Sequence, residues 1–277
     1  MEGFTAKINI KYCRSIFLLI FAAFYCAGCS IQQTSVTEID SVSYTVYNQK
    51  DDEKKAKALW RMGSALCASG DFRGAIGRFL EALNLGIDDA GLYNELGLAY
   101  MQIGEYEESI AYFKKATSMR FDFSPAYNNM GTAYFLLKDY DNAIDSFNMA
   151  LKNTLYATPQ LAYHNMGWTY FEKGDVISAI KNYEKALVLD PYYSLCRIKL
   201  GLAYEKTGDP AKAFNSYSKA LELTPGYAPA RFSLYKLYYS FGMLEKAINE
   251  LNLIIEENPK TAIADEARKA MNNIIVQ

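Results

Sequence analysis

A glycine that returns at a fixed interval constrains this chain more than any other feature. Gly63, Gly97, Gly131, Gly167 and Gly201 each sit inside a similar phrase: ALWRMGSAL, GLYNELGLAY, PAYNNMGTAY, LAYHNMGWTY and CRIKLGLAY. The interval is 34 residues three times and 36 once, between Gly131 and Gly167. About 12 residues after each glycine come Ala or Ser, then Phe or Tyr, then Ala. Ala75, Phe79 and Ala82 follow the first glycine; Ala143, Phe147 and Ala150 follow the third; Ala213, Tyr217 and Ala220 follow the fifth. A period of this length marks an array of like units, each too small to bury its apolar face alone. The residue types explain themselves as two helices per unit. Glycine lets the first helix approach the second closely, the alanines keep the second helix slim, and the aromatic fills the space between. Gly70, Gly104, Gly174, Gly208 and Gly242 stop the first helix, and Asp71, Asp175 and Asp209 lead the second.

This pattern resembles the tetratricopeptide repeat, which implies an all-α superhelical solenoid of about six helix-turn-helix repeats with a C-terminal capping helix. Within residues 53–261 the frames are 56–89, 90–123, 124–159, 160–193, 194–227 and 228–261. The sixth is degenerate, with Tyr235 at the glycine place and Leu251 and Ile254 at the aromatic and alanine places. Residues 262–277 read as one amphipathic helix over the last apolar face. The two extra residues of the third repeat fall in ALKNTLYATPQLAYHNMG. They predict a longer loop from Thr154, with Pro159 opening the next helix.

The first 28 residues are of another kind. Lys7, Lys11 and Arg14 precede a 12-residue apolar run, Ile16 to Ala27, which ends in Cys26-Ala27-Gly28-Cys29. The run is too short for a membrane span of ~20 residues and suits a secretory signal peptide. Its end resembles the lipobox of bacterial lipoproteins, which implies cleavage before Cys29 and a covalent lipid on that cysteine. Ser30 then implies an outer-membrane address. Cys26 departs from the Leu usual three residues before the acylated cysteine. Residues 30–52 are polar and read as a non-helical tether, spanning roughly 25 Å. Cys67 and Cys196 lie four repeats apart, too far for a disulfide, and read as small buried hydrophobes.

Charge and composition exclude several classes. The net charge is −2, and −4 once residues 1–28 are set aside, so nothing favours nucleic acid as a partner. His164 is the sole histidine, without a metal-ligand or triad companion at useful spacing, and no Gly-rich phosphate loop occurs. An enzyme, a cofactor (apart from the lipid) and a small-molecule substrate are therefore not expected. Binding is. At 100° per residue, one side of each first helix faces its partner helix and another lines an inner wall shared by all repeats. That wall reads Trp60; Asn94, Leu98 and Met101; Asn128 and Phe135, with Asn129 at the edge; then His164, Trp168 and Phe171, with Asn165 at the edge. Aromatics interspersed with Asn suit an apolar helix or extended peptide. Few cations are placed there to clamp a carboxylate, so the expected anchor is hydrophobic.

Lipobox, tether, six repeats and the junction phrase ALKNTLYATPQLAYHNMGW together resemble the type IV pilus assembly lipoproteins, the pilotins of PilF/PilW/Tgl type. The resemblance implies an outer-membrane lipoprotein facing the periplasm of a Gram-negative bacterium. Such a protein holds subunits of a secretin and promotes their localisation and multimerisation, without catalysis. The alternative is a periplasmic adaptor lipoprotein that scaffolds cell-wall hydrolases or outer-membrane barrel assembly.

Overall fold

A computed structural model describes the backbone of residues 36–275 and side chains from 50 to 274. The leader, Cys29 and the start of the tether lie outside the described residues. The chain divides into two compact units, Met1–Lys55 and Ala56–Gln277. All regular structure described is helical, which meets the all-α expectation. In order the helices are α1 (Val36–Ser69), α2 (Phe72–Asn84), α3 (Ala90–Gln102), α4 (Tyr106–Met119), α5 (Ser124–Leu136), α6 (Tyr140–Leu151) and α7 (Pro159–Lys173). Then follow α8 (Val176–Leu189), α9 (Ser194–Lys206), α10 (Pro210–Leu223), α11 (Ala228–Ser240), α12 (Leu244–Glu257) and α13 (Ala262–Ile275).

The polar stretch from residue 36 to 52, read as a non-helical tether, is instead the beginning of α1. Glycine and proline are absent from it, and Val36, Ile39, Val42 and Val46 recur at helical spacing. With no breaker between them and the first repeat, the helix continues through.

In the second unit, successive helices pair and stack as the repeat requires. The glycine of each first helix meets the aromatic of the second. A Cβ added at Gly131 would lie 2.6 Å from Phe147 Cε1, and one at Gly201 would lie 2.4 Å from Tyr217 Cε1. Phe79, Phe113, Phe147, Tyr183 and Tyr217 are accordingly among the most deeply buried side chains. In the sixth repeat the pairing changes on both sides at once. Tyr235 packs with Leu251 and Ile254, so a large residue on α11 meets a smaller one on α12. On the far side of that cluster, Ala264 and Ala267 of α13 are fully buried.

Turns follow the sequence closely. Gly70, Gly104, Gly174, Gly208 and Gly242 have positive φ, and Lys138 at φ 61° takes that place in the third repeat. Asp71, Asp139, Asp175 and Asp209 each accept a hydrogen bond from a first-turn amide of the following helix. The loop after α6 runs from Lys152 to Thr158, two residues earlier than Thr154. Tyr156 turns back inside it and is buried against Ala150 and Ala162. Asn153 donates to the Asp122 carbonyl at 2.9 Å, tying the loop to the one before. The extra length is thus packed into the stack. Neither remaining cysteine is bridged. Cys196 is fully buried, whereas Cys67 is only half-buried, as are Met101, Phe135 and Phe171 at the equivalent place of the next three repeats.

Candidate functional site

Helices α3, α5, α7, α9 and α11 pack side by side, each second helix lying behind its own first helix. What joins them is a series of cross-helix contacts. The Asn129 amide donates to the Asn94 side-chain carbonyl at 3.0 Å, joining α5 to α3. The Asn165 amide donates to the Asn128 side-chain carbonyl at 3.2 Å, joining α7 to α5. Ser64 of α1 makes a hydrogen bond with the Glu95 carboxylate of α3. Each asparagine pair joins the fifth place of one repeat to the sixth place of the next, so the register of adjacent repeats decides which polar residues meet across the seam.

The centre of the wall is aromatic. Phe135 of α5 and Trp168 of α7 lie with ring centroids 4.8 Å apart. Trp168 donates its indole N–H to Glu172 Oε1 at 3.1 Å. From the other side, Lys199 of α9 places Nζ 4.2 Å from the Trp168 ring centroid, a cation–π contact. Phe171 packs with Trp168 over a core that includes Tyr183 and Cys196. All four of Phe135, Trp168, Phe171 and Lys199 are half-buried. Each therefore supports the stack with one face and leaves the other to solvent. Burial holds the Lys199 ammonium below its ordinary pKa, and the Glu172 carboxylate works in the opposite direction.

Other wall residues divide by role. Leu98 and Met101 are half-buried against Ile110, Phe113 and Met130 and serve mainly as packing between α3 and its neighbours. Trp60 is half-buried at the beginning of the stack, its ring against the start of α3 beside Gly91. It lies two repeats from the central cluster.

His164 is not part of the wall surface. It is 3% exposed, with its ring centroid 4.8 Å from that of Tyr193 and 5.8 Å from that of Tyr183. Tyr193, the residue just before α9, closes over it, an arrangement that helix periodicity alone does not reveal. Burial, and then the positive charge of Lys199, lower its pKa to about 4, so the imidazole is neutral. Among the described residues its Nδ1 has no hydrogen-bond partner.

Sequence reasoning missed Lys199, Glu172 and Glu95 on this wall. A signal was present: Glu95, Asn129, Asn165 and Lys199 occupy one equivalent place in four consecutive repeats. Among the described residues no group of three metal-ligating side chains comes together. No described helix is long and apolar enough to cross a membrane.

The geometry defines a class: a stack of antiparallel helix pairs presenting a continuous wall of first helices, the architecture of a protein-binding repeat scaffold. Sequence profiles described as tetratricopeptide repeat match residues 90–123, 124–153 and 206–271, and one described as TPR repeat matches 167–208. The chain is built of tetratricopeptide repeats. Comparison with curated proteins returned no match. Among solved structures, PilF of Pseudomonas aeruginosa is similar at a TM-score of 0.66 and 17% identity, over 79% of this chain and 99% of that one. PilW, a widely conserved type IV pilus biogenesis factor, is similar at 0.69 and 17% identity, over 76% and 97%. MamA is similar at 0.54 and 30% identity, over 60% and 96%.

Proposed function

We propose that the protein is a non-catalytic lipoprotein scaffold of the outer membrane, anchored through lipid on Cys29, which binds secretin subunits and promotes their multimerisation in type IV pilus biogenesis. The observation that carries the binding half of this reading is the half-exposed aromatic cluster of Phe135, Trp168 and Phe171, flanked by paired asparagines. Apolar surface held open on a rigid wall is stabilised by covering it, and a partner segment supplies that cover. The pilus assignment is supported by the similarity of fold to PilF and PilW over nearly their whole lengths. It is also supported by the lipobox-like Cys26-Ala27-Gly28-Cys29 and the junction phrase. Anchoring scaffold and partner in one membrane would raise their effective concentration for each other.

Deletion tests the reading. Pilus-dependent motility and heat-resistant secretin multimers should both fall, and unchanged multimers would refute it. The combined change Trp168→Ala and Phe171→Ala should reproduce the deletion while leaving the circular dichroism spectrum in place. Mass spectrometry of the mature N-terminus should find an acylated Cys29.

A further inference from the structure

The sixth repeat departs from the others on the side of the second helices as well. In the first five repeats an acid leads the second helix: Asp71, Glu105, Asp139, Asp175 and Asp209. In the sixth that place is taken by Met243, which is 46% exposed and gives α12 no side-chain cap bond. Loss of a cap is destabilising, and a methionine left in solvent returns little to the fold. Phe241, two residues earlier, is 53% exposed. A second place changes with it. The fifth residue of the second helix is a buried isoleucine in the first three repeats (Ile76, Ile110 and Ile144) and the half-buried Ile180 in the fourth. In the fifth repeat it is Phe214, 40% exposed.

These residues meet. With Pro210 and Tyr238 they line an open cavity of about 440 Å³ between the start of α10 and the turn that joins α11 to α12. The Phe214 and Tyr238 rings meet edge-on, with centroids 5.9 Å apart. Among the described residues that line the cavity, Lys246 is the charged one. Its Nζ lies 5.5 Å from the Tyr238 ring centroid and makes no ion pair with a described residue. Of the neighbouring acids, Glu250 is paired with Arg231, and Glu245 lines the adjoining hollow.

The other repeats show what is missing here. Before α2, α6, α8 and α10 the aspartate accepts from the third amide of the helix, that of Gly74, Asn142, Ser178 or Lys212, at 2.9 to 3.3 Å. The corresponding amide of α12 is that of Lys246. One residue therefore offers both a main-chain N–H and an ammonium group to an anion, at the rim of an apolar hollow. In Asp71-Phe72 and Asp139-Tyr140 the capping acid stands next to a large apolar residue, so the pairing of acid and apolar side chain is one that this fold already uses at that place.

We propose that the outer cavity of the sixth repeat binds a protein segment in which Asp or Glu stands beside a large apolar residue. The carboxylate caps α12 at Lys246, and the apolar side chain seats between Phe214 and Phe241. Charge complementarity selects this occupant, because the cavity has a cation and an uncapped helix start and no acid of its own. The site lies away from the inner wall and does not depend on the groove reading.

Selection of randomised 12-residue peptides displayed on phage, against the full-length chain in detergent, tests the proposal. One selected class should carry Asp or Glu beside a large apolar residue and should bind Trp168→Ala unchanged. That class should bind Lys246→Met, which keeps the stem over Tyr238, about tenfold or more weakly, the usual loss for a charge-assisted contact. Met243→Asp supplies the missing cap from within. It should raise the melting temperature and abolish binding of that class, so the lost binding is not lost folding. Selected peptides that all require Trp168, or that all bind Met243→Asp undiminished, would overturn the inference and leave the groove reading standing. Peptides lost in Met243→Asp but indifferent to Lys246→Met would overturn it by removing the anionic contact. Sedimentation of the wild type as a dimer that Met243→Asp returns to monomer would overturn it by giving the cavity to a second copy.

Discussion

His164→Phe isolates a buried titration. In the folded chain the imidazole titrates at about 4, against 6.5 in an unfolded chain. The cause is burial, reinforced by Lys199, with Tyr183 and Tyr193 as the rings that enclose it. Because the folded value is depressed, the unfolded state binds the proton first as pH falls. Above 6.5 both states are neutral and the histidine contributes no pH dependence. Between 6.5 and 4 stability declines, and below 4 the loss is complete. At about 1.4 kcal/mol per pH unit the whole window is worth about 3 kcal/mol, and the step from pH 7 to pH 5 about 2 kcal/mol. Phe keeps the contacts with the two tyrosines and has no proton to gain. The capping carboxylates Asp175 and Asp209 have lowered values and titrate below this window. Urea unfolding followed by circular dichroism at pH 7, 6 and 5, at constant ionic strength, measures the effect. Wild type should lose about 2 kcal/mol between pH 7 and 5, and His164→Phe should lose much less. An equal decline in both chains would refute the assignment of the titration to His164.

Two further substitutions probe the logic of the repeat. Gly131→Ala should destabilise by about 1–3 kcal/mol, because its Cβ would meet the Phe147 ring at 2.6 Å. Adding Phe147→Leu, the combination that the sixth repeat approaches with Tyr235 and Leu251, should cost less than the sum of the two single changes; additive losses in a denaturation cycle would count against the lock-and-gap account. Glu105, which precedes α4, makes no side-chain cap bond, unlike the aspartates before α2, α6, α8 and α10. Glu105→Asp should therefore raise stability by about 0.5–1 kcal/mol and slow hydrogen exchange at the Glu108 amide.

Much of the fold is legible because the repeat states its own contacts. Gly131 and Phe147 are complementary in size, and the same pair recurs five times, so chance agreement is excluded. The turn glycines and capping aspartates are local devices that act within a few residues, and they behave as their sequence context demands. The polar stretch before Lys55 is less legible: its composition is that of a tether, while the absence of helix breakers and the spacing of Val36, Ile39, Val42 and Val46 allow the helix. The burial of His164 is not legible either, because angular position on one helix does not tell which residue of the next loop folds over it.

The candidate site divides the same way. Periodicity alone assigned Trp168, Phe135, Phe171 and the asparagines to one side of the first helices, because 100° per residue is a property of the helix and not of its neighbours. Tertiary structure alone decided that Asn129 reaches Asn94, that Lys199 lies on Trp168, and that His164 leaves the surface. Asn129 and Asn94 are 35 positions apart, Lys199 and Trp168 31, and Tyr193 closes over His164 from 29 positions further on. Their distances are set by how one repeat stacks on the next, and by which side chains fill the seam between them.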